Sequence, residues 1–283
     1  MTRIACVACL DPKISVHTPG FLRSVELAQK IALGPDVTVT LYNDLASAEG
    51  AVRTAQQIIA DKPDIVVGHF ASSAAMAAAP LYTAEGLQLI LPAATRSDLV
   101  KHAGVMRICD NDADYVDWLC NAINMPIHAV HSDGSAHGDS VVEMVRQSPV
   151  FMPSPNPDVV LISGLYNSTV AYAGTCDAKT IILTDDADAP TLADDLAAAG
   201  VDFTKTQVIV GALTAHPVGT VAAQIADAHG GIPGTYFWET IAALQIAAGV
   251  SDTVLGPLTF DADGEARPMG FHLYAPQPTK AAA

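Results

Sequence analysis

The chain has 283 residues, half of them apolar and 16% charged, with 14 Lys and Arg against 30 Asp and Glu for a formal charge of −16. That much apolar material excludes intrinsic disorder and suits about two domains. The acidity argues against nucleic-acid backbones and anionic lipid surfaces as partners. No apolar run reaches the 18 or so residues of a membrane helix, so neither direct nucleic-acid binding nor membrane insertion is expected.

From the N-terminus, residues 3–9 read as a strand. The run is too short for a signal-peptide core and no separate cleavage site follows it. As written the chain is expected in the cytoplasm, and in the periplasm if a leader once preceded it. A helix is predicted over 21–33, with Leu22, Val25, Ala28 and Ala32 on one face, then a strand over 37–42. Ser47 is placed to cap a helix carrying Val52, Ala55 and Ile59. Strands follow at 64–69, 88–91 and 105–109, with an Ala-rich helix at 74–83 between the first two. Helices are predicted at 112–124, 138–147, 190–199, 218–229 and 235–248, and strands at 127–131, 158–163, 179–184 and 207–211. Continuous apolar runs such as Ile65-Val66-Val67 and Val159-Val160-Leu161-Ile162 mark strands covered on both faces, as in parallel sheets. Strand–helix alternation predicts an α/β protein with right-handed crossovers. The number of strands exceeds one small doubly wound sheet and fits two lobes.

Several chemistries lack their signatures. There is no G-x-G-x-x-G after the first strand, no G-x-x-x-x-G-K-[ST], no G-x-S-x-G and no H-E-x-x-H, so neither dinucleotide, P-loop, hydrolase nor zincin chemistry is indicated. The five cysteines, an odd and sparse set, form no disulfide framework. Cys6 and Cys9 form a C-x-x-C inside a predicted strand, where a core role is expected over a redox one. His128, His131 and His137 lie close in sequence, but the first two point to opposite faces of a strand. No metal or cofactor is therefore expected, and no catalytic residue is assigned, since Ser72 has no evident partner base.

Binding signals are stronger. A buried strand ends at Gly68 and is followed by His69-Phe70-Ala71-Ser72-Ser73 at the entry to a helix. Ser72 and the backbone N–H groups there suit a carboxylate, because both the orphan donors and the helix dipole favour an anion. The next strand ends in Pro92-Ala93-Ala94-Thr95, offering a second hydroxyl. Thr184-Asp185-Asp186-Ala187-Asp188 closes a later strand with acids suited to an ammonium. His137 stands where a strand-end loop meets a helix, and Tyr236-Phe237-Trp238 opens another helix.

At these residues the chain resembles the branched-chain amino-acid (Leu/Ile/Val) binding protein family, with the type I periplasmic binding protein fold. The family's GH-x-x-SS turn is matched at residues 68–73 and its Y-x-x-EG-x-x-x-I-x-PAAT stretch at 82–95. Residues 237–245 and 256–264, and Tyr42-Asn43-Asp44, also match. The resemblance implies two doubly wound, Rossmann-like lobes joined by three crossovers. Residues 1–108 plus 217–255 would form lobe one, and 109–216 plus 256–283 a reduced lobe two, with hinge closure on a ligand in the cleft. It further implies that Ser72, Thr95 and the Ala93 backbone hold the α-carboxylate and that Asp186, or next Asp185, holds the ammonium. His137, Tyr166, Tyr236 and His17 would line the site. Here Asp replaces the family's Glu, His137 replaces an aromatic, and the Pro-rich stretch 147–157 stands where a strand and helix are usual. The implied function is a non-enzymatic solute receptor for an amino acid or amide that delivers to an ABC permease. The alternative is a cytoplasmic sensor of the same fold acting on a regulatory partner protein.

Overall fold

In the computed structural model, residues 1–266 and 270–278 are described. They form two compact units, residues 1–111 with 215–266 and 270, and residues 112–214 with 271–278. The chain thus passes from one unit to the other three times, after Asn111, Thr214 and Gly270.

The first unit is built on strands β1 (Thr2–Ala8), β2 (Val37–Asn43), β3 (Ile65–Gly68), β4 (Leu89–Leu91) and β5 (Val105–Arg107), in the order β2-β1-β3-β4-β5. β1 pairs in parallel with β2 and β3, β3 with β4, and β4 with β5. Alternation along β1 sets the two faces. Ile4, Cys6 and Ala8 pack with α1 (Thr18–Leu27) and the later α9 (Phe237–Ala247). Ala5 and Val7 pack with α2 (Ala48–Asp61) and α3 (Ser72–Ala84). The strand order reverses between β1 and β3, and the crevice outside the carboxyl ends of strands at such a point is the usual ligand position in open α/β sheets.

The second unit carries β6 (Ala129–Ser132), β7 (Val159–Ser163), β8 (Thr180–Leu183) and β9 (Gln207–Thr214), with α4 (Asp112–Ile123), α5 (Ala136–Gln147), α6 (Tyr166–Thr175) and α7 (Leu192–Ala199). β6 to β9 pair in parallel. Chain-terminal β12 (Gly270–Tyr274) lies beside β9 at the far edge. The Pro-rich segment at 147–157 forms no full strand and pairs instead with residues 127–128, just before β6. Met152 N–H donates to Ile127 O and Ser154 N–H to His128 O. Prolines there blunt the sheet edge.

The structure differs from the sequence reading at several points, and no predicted strand covers β12. The first helix starts at Thr18, with Pro at its first turn, and ends in a π-helical turn at Ala28–Ala32. Helix α6 was not predicted. Residues 256–266, assigned above to the second lobe, fall in the first unit. The reason is local pairing: β11 (Gly256–Pro257) pairs with β10 (Asp252–Thr253), and Glu265 is held by Arg107. Helix α8 (Gly219–His229) completes that unit.

Candidate functional site

In the first unit the polar groups gather at the carboxyl ends of β1, β3 and β4. Gly68 ends β3 at φ +134, and a Cβ there would lie 1.9 Å from Val7 O, so only glycine fits. The next residue, His69, also has positive φ, 33°, and is fully buried. Its ring pins the turn from both sides, with Nδ1 2.8 Å from Asp44 Oδ2 and Nε2 3.1 Å from Tyr82 Oη. The turn therefore reaches Ser72 in a fixed conformation. Ser72 is not the helix cap, because Ala71 holds that position in extended conformation. Ser72 is the first helical residue and is 7% exposed. The N–H groups of residues 72–74 precede the first intrahelical bond, from Ala75 N–H to Ala71 O. Such leading donors and the helix dipole favour an anion.

The adjacent strand end holds Ala93 and Thr95, both buried. This loop is braced by a group the sequence reading missed. The fully buried Arg107 guanidinium donates to Ala94 O at 3.3 Å and Arg96 O at 2.7 Å. Its other edge forms a bidentate pair with Glu265, with Nε donating to Oε2 at 2.9 Å and Nη2 to Oε1. The Arg and the Glu are 158 residues apart, so nothing local in the sequence points to the pair. His17 and Tyr236 come together in the same unit, rings edge to face at 5.6 Å, and Phe70 meets Tyr236 at 6.0 Å. Tyr236 opens α9 in left-handed conformation, φ 66.

In the second unit, His137 lies in the first turn of α5, behind its N-cap Ser135. Asp185 and Asp186 lie in a 3-10 turn, Asp185–Ala187, directly after β8. The structure brings these three together. His137 Nε2 stands 3.6 Å from Asp185 Oδ1 and 3.8 Å from Asp186 Oδ2, while Nδ1 is 3.2 Å from Asp112 Oδ1. His137, Asp112 and Asp185 are buried, and the Asp186 side chain is 22% exposed. Burial disfavours the charged ring, but Asp186, Asp112 and Asp185 outweigh it and hold the His137 pKa well above the ordinary imidazole value. Asp112 went unnoticed in the sequence because an acid opening a helix reads as dipole complement.

Tyr166 is buried at the start of α6, and its hydroxyl donates to Asp195 Oδ2 at 2.6 Å, with Thr191 Oγ1 at 3.3 Å. Its polar end is thus engaged with α7 and the residue preceding it. His128 and His131 play separate parts: His128 Nδ1 accepts from Asp158 N–H, and His131 stacks on Tyr172. Cys6 and Cys9 are buried thiols whose pKa values burial pushes up.

No protein-family model matches this chain. The Leu/Ile/Val-binding protein of Citrobacter freundii is 25% identical over 155 residues, which is 53% of this chain and 40% of that protein. The match thus spans less than half the length of that relative. In three dimensions the likeness is more extensive. The leucine-binding protein LivK of Thermotoga maritima superposes with a TM-score of 0.75 at 16% identity, covering 98% of this chain and 99% of that one. The substrate-binding protein LivJ of a branched-chain amino-acid transporter from Streptococcus pneumoniae, solved with isoleucine, gives 0.78 at 14% identity, covering 98% and 100%. The chain therefore has the type I periplasmic binding fold, and its structural likeness is to branched-chain amino-acid binding proteins.

Proposed function

We propose that this chain is a non-catalytic receptor for an α-amino acid or a closely related zwitterion, delivering it to an ABC permease. The observation that carries the reading is the locked turn at 68–72, which offers a hydroxyl and leading helix N–H groups at the switch point of a parallel sheet. A carboxylate is the group such donors bind best. On this reading Ser72, Thr95 and the Ala93 backbone hold the ligand's carboxylate. Asp186 and Asp185 hold its ammonium through charge-assisted hydrogen bonds. His17 and Tyr236 lie beside its side chain. Binding draws on both units and closes them about a hinge. The relatives' names support solute binding with branched-chain amino acids as the substrate class.

A thermal-shift panel of amino acids, amides and sugars tests the assignment. Ligand at 100 times its Kd adds about 2.7 kcal/mol to native stability. At least one aliphatic amino acid or amide is expected to raise the Tm. Ser72→Ala and Thr95→Val each remove a hydroxyl contact to a charged group worth about 1.5–3 kcal/mol, so affinity for that ligand falls about tenfold or more while the apo Tm holds. A shift with sugars alone, or normal affinity in both variants, rejects the reading.

A further inference from the structure

The second-unit cluster carries a donor set that an ammonium does not require. We propose that His137, Asp185 and Asp186 form a binding site for a divalent transition-metal ion of the zinc type. One imidazole nitrogen and two carboxylate oxygens, drawn from two different strand-end segments, all lie within 4.8 Å of one another.

The spacing is that of ligands facing a common point. His137 Nε2 stands 3.6 and 3.8 Å from its two carboxylate oxygens, beyond ordinary N–H···O reach. Ligands about 2.0–2.2 Å from a tetrahedral zinc stand roughly 3.4 Å apart. An ion therefore needs to draw each carboxylate toward the imidazole by only a few tenths of an ångström, while the two carboxylate oxygens lie within 4.8 Å of each other. The opposite ring nitrogen, Nδ1, faces Asp112 Oδ1 at 3.2 Å. A carboxylate on that side is the usual device that fixes a ligating histidine's tautomer and turns its other ring nitrogen toward the metal. His137 and Asp185 are 6% and 1% exposed, so most of their desolvation has already occurred on folding.

The donor types select the metal class. Imidazole with carboxylate suits zinc, cobalt and manganese, while Ca²⁺ and Mg²⁺ prefer all-oxygen shells and Cu(I) prefers sulfur. Three protein ligands leave a fourth position open. On the function proposed above, the same carboxylates serve an ammonium, so metal and amino acid exclude each other.

The test uses the full chain after chelator treatment, titrated with Co²⁺ for its visible ligand-field absorption and with Zn²⁺ by calorimetry. One saturable equivalent with a Co²⁺ spectrum of histidine–carboxylate coordination is expected. Asp186→Asn and His137→Gln, with folding checked by circular dichroism, should each weaken Zn²⁺ at least tenfold. Asp112→Asn, at a positioning residue, should weaken it about 10–100-fold. Cys9→Ser should leave it unchanged. No saturable Co²⁺ or Zn²⁺ binding, or wild-type affinity in both folded Asp186→Asn and His137→Gln, overturns the site. Leucine binding without zinc binding overturns the metal site alone. Zinc binding that leucine leaves untouched keeps the metal site and removes the ammonium from these carboxylates.

Discussion

Asp133 shows how single side chains fix the second unit's loops. It follows β6, and its carboxylate accepts from Ser135 N–H and Leu165 N–H, both at 2.9 Å. It thereby ties the loop before α5 to the loop before α6. Gly164 is required beside it, since a Cβ there would lie 2.4 Å from Asp133 Oδ1. Partial burial raises the carboxyl pKa, but the Ser135 and Leu165 hydrogen bonds outweigh that and hold it below the usual aspartate value. A depressed folded pKa adds stability above the unfolded value of about 3.9, and that contribution fades as pH falls through the folded value. Asp133→Asn should therefore lower the urea midpoint most at pH 6–7. The difference from wild type should shrink steadily below about pH 4. A difference that is constant from pH 7 to pH 2.5 would show that packing, not charge, is what Asp133 supplies.

At the scale of elements, the Pro92–Arg96 loop depends on a strand and a distant loop meeting through one buried ion pair. Arg107 at the end of β5 is fully buried, and Glu265 is its bidentate partner. Removing one member of such a pair strands a charge in low dielectric and costs about 3–5 kcal/mol, whereas replacing both by apolar groups is often neutral. Glu265→Ala should thus destabilise strongly, and Glu265→Ala with Arg107→Met should recover much of the loss in chemical denaturation. A double variant as unstable as the single one would place the cost in the lost carbonyl contacts of Ala94 and Arg96 instead. The same scale shows what was legible in advance. The buried parallel strands announce themselves as unbroken apolar runs, and the turn at 68–73 by its glycine and serines. Helix α6 does not, because Tyr166-Asn-Ser-Thr-Val-Ala-Tyr-Ala-Gly-Thr175 is rich in weak helix formers. Tertiary packing makes it helical. Thr169, Val170 and Ala173 are buried, and Gly174 lets α7 approach so closely that a Cβ would meet Ala199 O at 2.1 Å. Strand β12 is short and half-exposed, secured by Trp118 stacking on Phe271 at 5.0 Å and by Tyr274 donating to Asp188. The Asp112–His137 contact joins residues 25 apart on separate helices, which no local pattern encodes.

For the molecule as a whole, the question is whether one ligand engages both units. Each unit has its own sheet, built on parallel strands, and its own buried core. Each can therefore open with its own free energy, and amide exchange in the central strands reads that energy separately. On the proposed function, Ser72 and Thr95 belong to one unit and Asp185 and Asp186 to the other. A ligand held by both groups binds only when both units are folded, so it must stabilise both by linkage. At 100 times Kd that is about 2.7 kcal/mol, or roughly a 100-fold slowing of exchange for amides that exchange through unit opening. The slowing is expected in β1 and β3 and equally in β7 and β8. A ligand that touches the first unit alone would slow β1 and β3 and leave β7 and β8 at their apo rates. Asp186→Asn supplies the internal comparison. With the ligand raised to 100 times the variant's own Kd, β1 and β3 should still be protected. Protection in β7 and β8 should fall toward the apo level, because a ligand shifts an equilibrium only through contacts that differ between its states. Full protection of β7 and β8 in Asp186→Asn would assign the second-unit contact to another group, with Asp185 first in line, since it lies in the same turn and faces the same imidazole.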